Sequence, residues 1–232
     1  LAGRTWEGEV TNRRKDGSLY VEDLSITPVR DESGRIAHFV AVKRDVTERK
    51  RLEEEIVHLA RHDPLTDLPN RRVVEENLVR LLARSGRGIP SALLLVDLDN
   101  FKEVNDRSGH AAGDEVLRSV ARLFHEAVRP GDLVGRIGGD EFVVLLEGAG
   151  PDEARAVAER IRDRAGALPL PEGYDGPAVG ASVGIAVVAR HRRTAGILAT
   201  ADAALYDAKA AGKGRIAVRL EPADAPSGPW RR

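Results

Sequence analysis

The sequence predicts an α/β or α+β sandwich, preceded by a short all-β segment and a linking helix. Three observations carry this reading. From about residue 63 onward, amphipathic helical stretches alternate with apolar runs of strand length, in a βααββαβ-like order. Residues 1–46 instead alternate apolar and polar positions between turn signals. Residues 47–62, between them, are charged and helical in pattern. The expected division is therefore 1–46, 47–62, 63–219 and a disordered, Pro/Ala/Gly-rich tail over 220–232.

In the first segment, Trp6 to Val10 leads to a turn at Lys15-Asp16-Gly17-Ser18, and Leu19 to Ile26 alternates cleanly. A second turn at Asp31-Glu32-Ser33-Gly34 precedes Ile36 to Val42. About three antiparallel strands are too few to bury a core alone. Thr47 is a candidate helix cap, and Leu52, Ile56 and Leu59 follow the four-then-three spacing of a coiled-coil seam.

The later unit opens on a turn-rich stretch, Asp63 to Arg72, and a helix with Val73, Val74, Leu78, Leu81 and Leu82 on one face. Ala92 to Val96 is long enough for a buried strand, and it ends in Asp97-Leu98-Asp99. Strand periodicity puts Asp97 and Asp99 on one face. A second helix carries Val116, Leu117, Val120, Leu123, Phe124, Ala127 and Val128. Arg136-Ile137-Gly138-Gly139-Asp140-Glu141-Phe142, flanked by apolar residues, reads as a hairpin with a tight turn. Pro151 and Asp152 open another helix, and residues 166–177 form a loop. Val179 to Val188 is a strand whose two glycines mark close approach of a neighbour. Thr200 to Ala211 is a helix stopped by Gly212, and Ile216 to Val218 a closing strand.

Composition narrows the chemistry. The 36 basic and 37 acidic residues nearly cancel, so no bulk field argues for nucleic acid or a membrane as partner. Cysteine is absent, which removes disulfides, thiolate nucleophiles and cysteine metal sites. No apolar run has the length to cross a bilayer. The missing cysteine fits a reducing cytosol, so the expected location is cytoplasmic. Methionine is absent even at position 1, so the chain reads as a fragment of something longer, and a membrane anchor upstream would be invisible.

Asp97 and Asp99 at a strand end and Asp140 and Glu141 at a hairpin tip meet if the two strands are neighbours. Clustered carboxylates without His or Cys make a hard oxygen site, suited to Mg²⁺ or Mn²⁺ rather than Zn²⁺. Lys102, Lys209 and Lys213 are candidate phosphate donors. Acids with lysines point to phosphoryl or nucleotidyl transfer. No Gly-x-x-x-x-Gly-Lys-Ser/Thr motif occurs, so a P-loop enzyme is excluded.

Two resemblances follow from these residues. The order Trp-x-Gly-Glu, Arg14-Lys15-Asp16-Gly17-Ser18, Pro28, Gly34 and Asp45-Val46-Thr47-Glu48 resembles the C-terminal part of a PAS sensor domain. From Asp63 to about Val218 the chain resembles a GGDEF domain, the diguanylate cyclase family. That match rests on Asp-x-Leu-Thr at 63–66, Asp-Leu-Asp-x-Phe-Lys at 97–102, Asn105-Asp106, Gly109-His110, Gly113-Asp114, Gly138 to Phe142 and Ala-Leu-Tyr-x-Ala-Lys at 204–209.

The resemblance implies a palm-like nucleotidyl-cyclase fold, with a central, mostly antiparallel sheet flanked by helices. It implies condensation of two GTP into cyclic di-GMP with release of two pyrophosphates. Asp97, Asp140 and the Leu98 carbonyl would hold metal, and Asp140 or Glu141 would deprotonate a 3′-hydroxyl. Asn105 and Asp114 would read guanine, and Lys102, Lys209 and Lys213 would bind phosphates. Phe101 and His110 would belong to the same substrate site, and Gly138 and Gly139 would let the nucleotide approach the backbone. Arg129 and Asp132 match the family's Arg-x-x-Asp inhibitory product site, where cyclic di-GMP acts as feedback inhibitor. Each domain would hold one GTP, so a homodimer is needed, brought together by the 47–62 helix. Asp67 departs from the family's usual glycine and puts the opening turn's geometry in question. The competing expectation is a catalytically silent module that binds GTP or cyclic di-GMP as a receptor.

Overall fold

The computed structural model describes residues 3–85, 89–188 and 194–220. The chain divides into two compact units, meeting in sequence at Ala60 and Arg61.

The first unit is a three-stranded antiparallel sheet followed by a helix. Strands β1 (Trp6–Arg13), β2 (Leu19–Arg30) and β3 (Ile36–Asp45) lie in that order. Among its described residues only Glu22 and Val46 are buried, while Phe39, Val40 and Val42 are exposed. Three strands alone enclose no core, as their number predicts. Helix α1 (Thr47–Leu59) buries none of its residues, and Leu52, Ile56 and Leu59 stand exposed along it.

Thr47 does not cap this helix. It is already the first helical residue, with Val46 at the cap position. Its hydroxyl donates to Asp45 Oδ1 at 2.6 Å and accepts from the Val21 N–H at 2.9 Å. Asp45 competes successfully for that hydroxyl, and the hydrogen bonds from Thr47 hold its carboxyl down at about 2. The helix also stops at Leu59, short of the expected boundary; His62 already pairs with Pro69 in the second unit.

The second unit contains α2 (Arg71–Ser85), β4 (Ser91–Asp99), α3 (Phe101–Ser108), α4 (His110–Ala127), β5 (Leu133–Gly138), β6 (Glu141–Glu147), α5 (Pro151–Gly166), β7 (Gly180–Val188), α6 (Thr194–Ala210) and β8 (Ile216–Leu220). The sheet order is β5-β6-β4-β7-β8, antiparallel except for the β7–β8 pair. This is the mixed, mostly antiparallel sheet flanked by helices that was expected.

Strand β4 is central and buried on both faces, which is why its apolar run is unbroken. Leu94, Val96 and Leu98 face α4 and α5 in one core, together with Phe124, Phe142 and Ile161. Leu93 and Leu95 face α2 and α6 in the other, with Leu78, Leu81, Ile197 and Leu205. Phe124 meets Phe142 edge to face, with centroids 5.3 Å apart.

Gly184 explains how α6 seats on the sheet. A Cβ there would lie 2.3 Å from both Ala201 O and Leu205 N, so only glycine lets the helix backbone rest on β7. Helix α6 starts at Thr194, six residues before the expected Thr200, because Ile197 and Leu198 are needed in the second core. The loop after α5 runs over 167–179. The expected disordered tail falls, from residue 221 on, outside the described residues; Leu220 itself ends β8.

Topology brings the later connections to one end of the sheet. Gly180 at the start of β7 pairs with Asp99 at the end of β4. Because β8 runs parallel to β7, the chain must return through α6 to the same end before entering β8 at Ile216. The α6 C-terminus and the 211–215 loop therefore arrive beside Asp97–Asp99.

Candidate active site

The β4–β6 register brings the acids together. Asp97 stands directly opposite Glu141, and the Leu98 N–H donates to Asp140 O at 3.2 Å. Burial raises the Asp97 carboxyl above the ordinary range, helped by the charges of Asp140 and Asp99, while Lys209 opposes the shift. Burial likewise raises Glu141, with Asp97 and Asp140 adding to it and Arg71 and Lys209 opposing. Lys209 Nζ sits 2.7 Å from Asp97 Oδ2. Lys213 Nζ donates to Asn100 Oδ1 at 3.2 Å, so two of the three expected lysines converge on the end of β4. Lys102 lies exposed in the first turn of α3.

Asp99 separates from the cluster despite sharing a strand face with Asp97. It is 3% exposed and accepts from Ser182 Oγ and from the Gly214 N–H.

Among the described residues, no three His, Cys, Asp or Glu side chains already form a metal cage. The donor set nonetheless fits a hard divalent cation. Asp97, Asp140 and Glu141 offer only oxygen and repel one another, which is the repulsion such an ion relieves.

The hairpin tip is held from two sides. Gly139 has φ +46 with open space where a Cβ would stand, so the turn needs glycine and leaves the backbone approachable. Arg136 Nε and Nη2 donate to Gly139 O at 3.0 and 2.7 Å, and Nη1 donates to Asp63 Oδ1 at 2.8 Å. Arg71 Nε donates to Ile137 O at 3.2 Å. Asp63 in turn accepts from the Thr66 N–H and hydroxyl at 2.9 and 2.7 Å. The Asp-x-Leu-Thr stretch is thus a bracket for the hairpin. Neither Arg136 nor Arg71 is among the site residues expected from the sequence. Their signal was position alone, an arginine just before the glycine pair and one opening α2. Asp67 adopts φ +59, the left-handed conformation that glycine favours and aspartate tolerates, so the turn survives the replacement.

Asn105 lies against Gly113, where a Cβ would come within 2.0 Å of its Oδ1. Glycine there lets α3 close on α4 and sets Asn105 beside Asp114. Both are partly exposed, and among the described residues neither side chain makes a hydrogen bond to the protein. Phe101 is buried against the same glycine and locks α3 to α4; His110 is exposed at the start of α4.

Arg129 and Asp132 are brought together and turned on each other. Arg129 Nε donates to Asp132 Oδ1 at 3.4 Å, and its Nη2 donates to Glu147 O. The Asp132 side chain is 3% exposed against 60% for Arg129.

Residues 60–215 match the model of the family "Diguanylate cyclase, GGDEF domain", and residues 2–48 match a PAS domain. The chain belongs to the GGDEF family. It is 36% identical over 222 residues to the probable diguanylate cyclase DgcE of Escherichia coli, covering 94% of this chain and 20% of that one. It is 37% identical over 196 residues to the E. coli diguanylate cyclase DosC, covering 81% of this chain and 42% of that one. The chain therefore spans less than half the length of these curated relatives. The diguanylate cyclase SiaD of Pseudomonas aeruginosa, solved with its activator SiaC, superposes with a TM-score of 0.65 at 37% identity, over 75% of this chain and 66% of that one. The coiled coil and GGDEF domain of DgcB from Caulobacter crescentus, solved with c-di-GMP, also gives 0.65, at 29% identity over 74% of this chain and 94% of that one.

The bracket gives a test of the GGDEF hairpin's support. Asp63→Ala should destabilise the chain by about 2 kcal/mol in urea unfolding, since charge-assisted hydrogen bonds are lost and Arg136 keeps no counter-charge there. Burial pushes the Asp63 carboxyl up, but the bonds from Thr66 and Arg136 outweigh it and hold it below the ordinary range. Its contribution is therefore complete above the unfolded value near ~4 and is lost as pH falls through the lower folded value. The gap between wild type and Asp63→Ala should close on acidification through that window.

Proposed function

We propose that this chain condenses two GTP into cyclic di-GMP with release of two pyrophosphates. The observation that carries it is Asp97 opposite Glu141 at the end of the central strand pair, with Lys209 against Asp97, in a chain of the GGDEF family. The 3′-hydroxyl oxygen of one GTP attacks the α-phosphorus of the other. A new P–O bond forms, the bond to the β-phosphate breaks, and pyrophosphate leaves; the step then repeats with roles exchanged. The hydroxyl proton passes to Asp140 or Glu141, and the raised Glu141 carboxyl suits a base better than an ordinary one. Asp97, Asp140 and the Leu98 carbonyl would hold Mg²⁺ or Mn²⁺, whose charge neutralises the reacting phosphates when bound.

Lys102, Lys209 and Lys213 bind the phosphates. Asn105 and Asp114 take the guanine edge, since a carboxylate accepts from guanine N1–H and N2–H₂ and finds no such donors on adenine. Their lack of partners within the described protein supports this assignment. GTP supply places the reaction in the cytoplasm, and no helix among the described residues is long and apolar enough to cross a membrane.

Each domain supplies one half-site, so two copies act together. The exposed Leu52, Ile56 and Leu59 of α1 supply the seam, and the PAS-like unit upstream sets how often the sites meet. Cyclic di-GMP binds back at Arg129 and Asp132, a guanidinium and carboxylate able to clasp phosphate and guanine once Arg129 turns away from Asp132.

Three measurements test this reading. Incubation with GTP and Mg²⁺ should yield cyclic di-GMP by mass, and Asp140→Ala should lower the rate by at least about a hundredfold, as loss of a metal ligand or a general base does; absence of product at concentrations that favour dimers would leave a receptor role. Leu52→Lys with Ile56→Lys should cut turnover per chain severely at low protein concentration while GTP affinity holds. Arg129→Ala should raise the cyclic di-GMP concentration needed for inhibition by about tenfold or more, with uninhibited turnover retained.

A further inference from the structure

Asp99 sits beside the acid cluster but takes no part in it. Both its carboxylate oxygens accept from Ser182 Oγ at 2.9 Å, and Oδ2 also accepts from the Gly214 N–H at 2.8 Å. Ser182 is fully buried, and Gly180 is the strand partner of Asp99. The carboxylate therefore faces the α6–β8 connection, the segment that carries Lys213.

Three contacts tie the last turn of α6 and that segment to the end of β4. Lys209 reaches Asp97, Lys213 reaches Asn100, and the Gly214 amide reaches Asp99. The first two are made by ammonium groups that a bound triphosphate would draw away. The third joins an exposed loop's backbone amide to a buried carboxylate and is unaffected by where the lysines point. The loop also needs holding: Gly212, Lys213 and Gly214 have φ of +117, +58 and +56, and the middle one is unfavourable for a lysine. Asn100, next to Asp99, has φ +63 and donates to Ala178 O at 3.0 Å.

We propose that Asp99 is a positioning residue for the phosphate grip, its buried carboxylate fixing the Lys213 loop against the β4 edge while the lysines engage substrate. This rests on the reading of Lys209 and Lys213 as phosphate-binding groups. Asp99 acts through the loop, touching neither nucleotide nor metal.

A double-mutant cycle on binding tests it. Calorimetric titration with a non-hydrolysable GTP analogue and Mg²⁺ is run on wild type, Lys213→Ala, Asp99→Ala and the double variant, with folding checked by circular dichroism. Asp99→Asn, which keeps one oxygen for the Gly214 amide, covers the case in which the alanine variant fails to fold. Lys213→Ala should weaken binding about tenfold, the value of one charge-assisted contact. Asp99→Ala should weaken it similarly, Asp99→Asn less, and the double variant little more than either single one, because both remove the same grip. The Mg²⁺ concentration needed for binding should not move. Wild-type affinity in the Asp99 variants, or losses that multiply in the double variant, overturns the proposal. So does a shifted Mg²⁺ requirement, which would make Asp99 a metal ligand. Wild-type affinity in Lys213→Ala overturns the phosphate-lysine reading and this proposal with it, an outcome separate from the others.

Discussion

Asp97 faces Glu141 across the β4–β6 ladder, and this like-charged pair is the constraint around which the second unit is built. Directly opposed carboxylates destabilise a sheet. Here they stand at the end of five apolar pairs, from Ala92–Leu146 to Val96–Phe142, with cores on both faces. Those pairs fix the register, because a slip of one residue would send each side chain to the wrong core. The acids are thus forced together by hydrophobic packing that leaves the strand no other alignment. Lys209, delivered by α6, is the counter-charge the fold itself provides.

The strands alone would not fix the turn that carries Asp140. Its backbone is held through Gly139 O by Arg136 and through Ile137 O by Arg71. Arg136 is fixed by Asp63, whose own geometry is set by Thr66. The effect is a glycine turn that stays open on the ligand side and is rigid behind. Such support from a second layer of residues is what a reactive constellation needs to keep its geometry. It also accounts for the presence of an acidic, turn-forming stretch some seventy residues upstream of the hairpin, Asp63 lying 73 positions from Arg136.

Much of this was legible in the sequence because it follows from periodicity. The apolar run Ala92 to Val96 read as a buried strand, the glycine-rich stretch as a hairpin, and the paired glycines of β7 as points of close approach; Gly184 is one. The meeting of Asp97 with Glu141 was conditional on strand adjacency, which only the sheet order supplies. What stayed hidden depended on partners distant in sequence. Asp97 and Asp99 share a face by periodicity, yet Ser182 and the Gly214 amide capture one and Lys209 the other. Thr47 read as a cap because its type favours that role, but Asp45 and Val21 offered its hydroxyl better-placed partners. The early start of α6 reflects core volume, which local propensity does not encode.

The contrast between Asp97 and Asp99 shows how the same residue type serves opposite purposes two positions apart. Asp99 is satisfied by neutral donors, a hydroxyl and a backbone amide, and is closed to solvent. Asp97 has a partly exposed ammonium as its partner and two carboxylates as neighbours, so burial and repulsion both work against its charge. A fully satisfied carboxylate stabilises the fold, and a poorly satisfied one stores free energy that an incoming cation releases. The strand end therefore closes one of its two acids into the fold and leaves the other poorly satisfied. That division is set by β7 and the α6–β8 loop, the elements that reach Asp99 and leave Asp97 facing the hairpin.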